Sequence, residues 1–169
     1  MNHRLLDRIK LCTILNDYDG FSELEQLAVD NPQAAFGVAW NVLRYTEDPG
    51  RDDGALSANL AKVCMDSMGV DAYAHAVAKE WGELPPGIRA NLIEGFVDQR
   101  FPKSVVMNVF RLHDSTVADR HGILSTIVSS RFEEFREELV EMMSEVGEHD
   151  DPNRQAGLVR LVDSIKGVL

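Results

Sequence analysis

The sequence predicts an all-α fold of about five antiparallel helical hairpins, mainly because one helical segment recurs. The segment that begins at Arg89 has counterparts beginning at Ser57, Arg120 and Arg154, at intervals of 32, 31 and 34 residues. Each copy has apolar residues three, four, seven and eight positions after its first residue, except that Gly157 fills one of these positions in the last copy. This spacing puts the apolar residues on one side of a helix. Repeats of this length, with no alternating strand pattern, are typical of a helical solenoid.

Local signals predict where the first helices begin. Ser22 and Glu25 have the spacing of a capping box, and Asn31 precedes Pro32 as an N-cap. The loop 47–54 (Glu-Asp-Pro-Gly-Arg-Asp-Asp-Gly) then separates the third predicted helix from the fourth. The predicted helices are 4–15, 22–31, 32–45, 55–68, 72–81, 87–99, 102–113, 116–130, 131–146 and 152–166.

Later helices have comparable start signals. Asp71 is expected to cap the fifth helix, and Asp114 with Ser115 is expected to cap the eighth. The connections are short, as in antiparallel helix pairs, and no linker divides the chain. We therefore expect one domain over residues 1–169.

The net charge of −11 restricts the partners of this chain. Nucleic-acid backbones and anionic membranes require a cationic surface, so we expect neither as a partner. A basic protein is the favoured partner, bound by a monomer or a homodimer. No signal peptide or membrane-spanning stretch is recognisable, and Cys12 and Cys64 are isolated in the sequence. The expectation is a cytoplasmic protein with two reduced cysteines.

The second helices of the hairpins resemble those of HEAT-like repeats, which place Asp and Arg near the helix start before small and apolar positions. Asp119 and Arg120 match this pattern, residues 151–154 (Asp-Pro-Asn-Arg) approximate it, and Arg89 keeps the arginine. The resemblance covers about residues 55–169, although the copy at Ser57 lacks the arginine. It implies a right-handed αα-superhelix, a curved α-solenoid whose second helices line the concave face.

The side of each second helix opposite the apolar pairs is a candidate binding surface. Positions two, five and nine after the first residue lie there, and position nine is Asp in three of the four copies. Such a ladder of carboxylates would attract a cationic partner, although charged residues on this side are also ordinary for a solvated helix face. The residues assigned to this ladder are Asp66, Asn91, Glu94, Asp98, Ser125, Ser129 and Asp163.

The stretch 131–151 is a second candidate surface. It has nine acidic side chains and two arginines, which accounts for −7 of the chain's −11. The stretch either keeps a terminal helix soluble or steers a basic protein toward the chain. Its candidate contact residues are Glu133, Glu137 and Glu141.

The sequence has no motif that would support catalysis. His113 and His121 lie near acidic residues, but no histidine or cysteine has metal-ligand spacing, and no phosphate-binding loop or nucleophile motif is present. We therefore expect a non-enzymatic protein-binding module with no cofactor and no metal.

In size, acidity and scaffold the chain resembles the small bacterial immunity proteins that neutralise a cationic toxin, often a nuclease. This resemblance implies inhibition by occlusion of the toxin's active site. The alternatives are an acidic HEAT-like adaptor or structural subunit of a larger complex, and a HEAT-like lyase or enzyme subunit.

Overall fold

A computed structural model of the chain contains helices and no strand in the part that it describes, which confirms the all-α prediction. The described residues are Arg4, Asp7, 19–44, 54–98, 101–147 and 151–166. All of the predicted helix 4–15 except Arg4 and Asp7, and all of the loop 47–54 except Gly54, therefore lie outside them. The helices of the described part are α1 (Asp19–Asp30), α2 (Pro32–Arg44), α3 (Gly54–Met68), α4 (Val70–Glu80), α5 (Pro86–Asp98), α6 (Lys103–Arg111), α7 (Val117–Ser130), α8 (Phe132–Phe135), α9 (Leu139–Glu145) and α10 (Pro152–Lys166).

Contacts along the chain define two compact units, Met1–Asn91 and Leu92–Leu169. The boundary falls within α5. Each unit is described by itself, and the expectation of one domain over 1–169 stays a prediction.

In the first unit, α2 packs against both α1 and α3. Its apolar residues point in several directions, as the sequence predicted, and six of them are buried. The indole N–H of Trp40 donates to Glu80 Oε2 at 3.0 Å, and Arg44 Nη1 lies 2.5 Å from the same oxygen. One carboxylate therefore ties the end of α2 to the end of α4.

Of the helix starts predicted in this unit, that of α2 is correct. Asn31 Oδ1 accepts a hydrogen bond from the Ala34 amide at 3.1 Å, as an N-cap should. Ser22 is no cap, because α1 already begins at Asp19. Asp71 is no cap either, because α4 begins at Val70 directly after Gly69.

In the second unit, α7 is the central helix and contacts α6, α8, α9 and α10. It begins one residue after Thr116, whose hydroxyl accepts from the Asp119 amide at 3.1 Å, while Asp119 accepts from the Thr116 amide at 2.9 Å. This capping box replaces the predicted Asp114-Ser115 cap. Ser115 is instead buried, and its hydroxyl donates to the Val109 carbonyl.

Residues 131–147, which we call the acidic segment, differ from the single helix predicted over 131–146. Helices α8 and α9 are separated by a turn at 136–138. There the Glu138 amide donates to the Phe135 carbonyl three residues earlier, at 2.9 Å, which tightens the chain relative to an α-helix. The side chains of Phe135, Leu139 and Met142 are buried on both sides of this turn.

Candidate functional site

The recurring second helices have one buried and one exposed side, as their spacing predicts. In the first three copies, the described side chains at positions three, four and seven after the first residue are all buried. These residues are Leu60, Ala61, Cys64, Leu92, Ile93, Phe96, Ile123, Leu124 and Ile127. In the last copy Leu161 and Val162 are half-buried, so α10 is covered less than the others.

The ladder residues of the first unit are Asp66 and Asn91. Asp66 is exposed, and its Oδ2 lies 2.7 Å from Lys62 Nζ one turn earlier on α3. Asn91 is half-buried. Asp66 therefore faces solvent as predicted, but its charge is shared with a neighbouring ammonium.

The ladder residues of the second unit are exposed where they are described. Glu94, Ser125, Ser129 and Asp163 all face solvent, whereas the side chain of Asp98 lies outside the described part of the structure. The serines contribute no charge, and the ladder carboxylates described in this unit are Glu94 and Asp163, which lie far apart in the sequence.

The arginine at the start of the α5 copy binds the 3-10 turn Trp81–Glu83 and the residue that follows it, between α4 and α5. Arg89 Nε donates to the Leu84 carbonyl at 2.8 Å, and Nη2 donates to the Gly82 carbonyl at 3.2 Å. Its guanidinium also lies 5.9 Å from the centroid of the buried Trp81 ring. Arg89 is therefore a structural residue of the connection between α4 and α5.

Arg120, one repeat later, makes the corresponding bonds. Its Nε donates to the Phe110 carbonyl at 3.1 Å, and its Nη2 donates to the Leu112 carbonyl at 3.4 Å. Arg154, in the last copy, lies 3.9 Å from Asp151 in an exposed ion pair. The shared role of Arg89 and Arg120 explains why an arginine recurs at this register.

The inner side of the acidic segment is paired with cations of α6. Lys103 Nζ lies 2.7 Å from Glu138 Oε2, and Arg111 lies 2.8 Å from Glu141 and 3.2 Å from Glu145. Within 131–147 there are six glutamates and two arginines. With the two α6 cations added, six carboxylates meet four cations, so the local excess of negative charge is smaller than the sequence suggests.

An aromatic ring anchors the same side of the segment. The Phe135 ring is fully buried, with Lys103 Nζ 5.5 Å and the Arg131 guanidinium 5.0 Å from its centroid. Arg131 also donates to the Phe96 carbonyl at 3.1 Å and to Glu134 at 2.6 Å. Two cations therefore contact the one ring that anchors α8.

These pairs change the titration of two glutamates. The Arg131 guanidinium lowers the pKa of Glu134, and the Lys103 ammonium lowers the pKa of Glu138, in each case chiefly through a hydrogen bond to the carboxylate. Glu138 is the less exposed of the two, at 27% against 45% of its side chain. Solvent therefore screens the Glu134 pair more strongly.

The exposed residues of the acidic segment include three carboxylates and one apolar residue: Glu133, Glu137, Val140 and Glu141. Of these, Glu133 and Glu141 also make ion pairs, with Arg136 and Arg111. We call these four residues the outer row. Glu133 is 80% exposed, Val140 59% and Glu141 62%, and among the described residues Glu137 has no ion pair. Glu133 lies in α8, Glu137 in the turn, and Val140 and Glu141 in α9, so the four residues share exposure to solvent and not one helix side.

Val140 is the member of the outer row that the sequence reasoning missed. The buried side of the segment repeats at Phe135, Leu139, Met142 and Val146. Val140 follows the buried Leu139 and lies about 100° further around the helix, away from the buried side. This position in the apolar pattern could have identified Val140 as an exposed apolar residue. A cleft between α1 and α3 was also missed, because its two sides are more than thirty residues apart in the chain.

The remaining chemically reactive side chains form no site in the described part of the chain. No group of three or more His, Cys, Asp or Glu residues there has the geometry to hold a metal ion. His113 is fully exposed beside Asp114, and a ring nitrogen of His121 lies 3.0 Å from the Arg154 carbonyl. Cys64 is a buried free thiol, and burial raises its pKa to about 12.

The described helices include none that is both long and apolar enough to cross a lipid bilayer. Comparisons with protein-family models, with curated proteins and with solved structures found no match to this chain. Its function therefore has to be argued from its own residues.

Proposed function

We propose that this chain is a non-enzymatic protein-binding module that recognises a basic protein through the outer row of its acidic segment. The observation that carries the proposal is the exposed Val140 among three exposed carboxylates. Interfaces concentrate their binding energy in apolar anchors, and surrounding charges steer and select the partner. A partner with lysine or arginine residues around an apolar pocket would complement this row.

The ion pairs behind the outer row support the same proposal. Glu138 is paired with Lys103 and Glu145 with Arg111, and the Phe135 ring has two cations within 5.5 Å of its centroid. The backbone that presents the outer row is therefore ordered before any partner arrives. Preorganisation of this kind reduces the entropy lost on binding.

The most specific form of the proposal is an immunity protein for a cationic, nuclease-type toxin. The net charge of −11 and the small size support it. A nuclease binds phosphates through lysine and arginine, and carboxylates that pair with those residues would occlude its active site. An immunity protein of this type is expected to be encoded beside a larger protein with a basic C-terminal toxin domain.

The scaffold we propose is a HEAT-like right-handed superhelix of stacked hairpins. The main-chain bonds of Arg89 and Arg120 support a repeating unit, since each arginine ties the start of its helix to carbonyls that precede it. Arg89 bonds to the turn after α4, and Arg120 bonds to the end of α6. The exposed ladder residues would then lie on the concave face, and they form the competing binding surface.

Affinity capture with two charge-matched variants tests this proposal. One variant reverses Glu133, Glu137 and Glu141 to Lys, and the other reverses the ladder residues Glu94, Asp98 and Asp163 to Lys, so both change the net charge by the same amount. The tagged wild-type chain is expected to capture a basic protein, identified by mass spectrometry. The outer-row variant is expected to bind it at least about tenfold more weakly, a change of about 1.4 kcal/mol.

Each outcome has a defined meaning. If only the ladder variant loses the partner, the outer row is not the binding site and the ladder is. If neither variant weakens binding, or if no basic protein is captured, the proposal is wrong. Nuclease activity of the purified partner, assayed with and without one equivalent of the chain, separates an immunity protein from an adaptor, which would leave that activity unchanged.

A further inference from the structure

A cleft of about 270 Å³ lies between α1 and α3 in the first unit. From α1 it is lined by Glu25, Ala28 and Val29, which are spaced three and four residues apart on one helix side. From α3 it is lined by Lys62, Val63 and Asp66, with the outer two one turn apart. Two helix sides therefore form a single depression open to solvent.

The lining combines an apolar surface with an acidic rim. Ala28, Val29 and Val63 supply the apolar part, and Val29 remains 78% exposed, the largest exposure among the described large apolar side chains. Glu25 and Asp66 place two carboxylates at the rim against the single ammonium of Lys62. The cleft is thus apolar inside and net negative at its edge.

The size and chemistry of the cleft select its occupant. Sites for drug-sized ligands or cofactors usually measure about 300–1,000 Å³, so this cleft suits one side chain better than a cofactor. An apolar interior with an acidic rim suits a side chain whose aliphatic stem carries a cation, because such side chains bury the stem and keep the charge near carboxylates. We propose that the cleft binds an arginine side chain of a basic protein partner, with its stem against Val29 and Val63 and its guanidinium between Glu25 and Asp66.

Arginine fits better than lysine because its planar guanidinium can reach two carboxylates at once. The ion pair between Lys62 and Asp66 does not block it. Both side chains of that pair are mostly exposed, at 66% and 60%, so solvent screens the pair and Lys62 can turn aside. The arginine guanidinium then pairs with Asp66, which also remains near Lys62, and forms a second ion pair with Glu25.

The test is a titration of the isotopically labelled full chain, followed by nuclear magnetic resonance. The probes are N-acetyl-arginine N-methylamide and N-acetyl-norleucine N-methylamide, which share an aliphatic stem and differ in charge. The Ala28, Val29 and Val63 methyl resonances are expected to shift saturably with the arginine probe, with at least about tenfold higher affinity than for the norleucine probe. Equal affinities, or shifts that never saturate, would overturn the proposal.

A matched pair of variants locates the binding. Replacing Glu25 by Gln and Asp66 by Asn should weaken the arginine probe at least about tenfold and leave the norleucine probe unchanged. The control replaces Glu23 by Gln and Asp71 by Asn, two exposed carboxylates outside the cleft lining, and should leave both probes unchanged. If both pairs of substitutions weaken binding of the arginine probe equally, the effect is a nonspecific effect of charge, and the proposed binding in the cleft is wrong.

This inference depends on the proposed function in one respect, which is that the arginine belongs to a basic protein partner. The titration contains no partner protein, so its failure removes the cleft and leaves the outer row untouched. Failure of the capture experiment leaves the titration result standing, so the two failures are distinguishable.

Discussion

Arg120 reaches back ten residues along the chain, and its Nε lies 3.1 Å from the carbonyl oxygen of Phe110 in α6. The last carbonyls of a helix have no amide partners of their own, so a guanidinium donor satisfies a group that would otherwise need water. Arg120 itself belongs to α7. One side chain therefore closes the end of the first helix of a hairpin and fixes the start of the second.

Replacing Arg120 by Ala should lower the free energy of unfolding by about 1–3 kcal/mol, because it leaves the Phe110 and Leu112 carbonyls without this donor. Replacing it by Lys should recover only part of the loss, since an ammonium lacks the planar fork. Urea denaturation followed by circular dichroism measures both. Arg160, which is exposed and makes no hydrogen bond or ion pair with a described residue, is the control, and its Ala variant should stay within about 0.5 kcal/mol of the wild type.

Two Gly→Ala substitutions should have opposite effects on stability. Gly69 joins α3 to α4 with φ +85° and ψ 159°, a conformation that is essentially restricted to glycine, so its Ala variant should lose about 1–3 kcal/mol. Gly157 lies within α10 with open space around it, so its Ala variant should gain about 0.5–1 kcal/mol. The melting temperatures of the two variants test this, and a shift of the same sign in both would contradict it.

The ion pair between Lys103 and Glu138 should make the fold sensitive to acid. The pKa of Glu138 is lowered from its ordinary value of 4.5 in the folded chain, so its contribution to stability is complete above pH 4.5. That contribution is lost as the pH falls below 4.5 through the lowered folded pKa. The Glu138→Gln variant should therefore be less stable than the wild type at neutral pH and lose less stability on acidification.

Glu137→Gln is the matched control for this pH dependence, because Glu137 lies one residue away and has no ion pair with a described residue. Its urea midpoints measured from about pH 6 down to about pH 3 should follow those of the wild type. A Glu138→Gln profile with the same acid slope as the Glu137→Gln profile would show that the ion pair does not contribute.

Cys64 should be inert in the folded chain. Its side chain is fully buried and burial raises its thiol pKa to about 12, so almost no reactive thiolate forms at pH 8. In a Cys12→Ser background, a disulfide reagent such as Ellman's should label Cys64 in denaturant and leave it unlabelled in buffer. Prompt labelling of the native chain would contradict the burial of this residue.

Local signals in the sequence predicted most of the helices but only some of their starts. The Asn31-Pro32 start and the helix Pro152–Lys166 are correct because neighbouring residues determine them. The start of α7 was misplaced because Ser115 and Thr116 are both good N-caps by local chemistry. The tertiary bond from the Ser115 hydroxyl to the Val109 carbonyl decides between them, and no local pattern contains it.

The candidate surfaces show the same limit. The spacing of the repeat correctly predicted the buried side chains three, four and seven positions after the first residue on α3, α5 and α7, whereas Asn91, assigned to the exposed side, is half-buried. It could not show that Glu138 pairs with Lys103, or Glu145 with Arg111, because these partners are more than thirty residues apart. The pairing of the acidic segment with the cations of α6 is therefore a property of the folded chain alone.

Arg89 and Arg120 donate to main-chain oxygens. The residues that supply these oxygens should therefore tolerate mutation better than the two arginines do. Gly82 and Leu112 contribute carbonyls that every amino acid possesses. When every single substitution is tested for folding, positions 82 and 112 should accept many residues, because each substitution keeps the main-chain acceptor. Positions 89 and 120 should accept little besides arginine. Each hairpin can therefore change the residues at its acceptor positions without losing the bond that closes it.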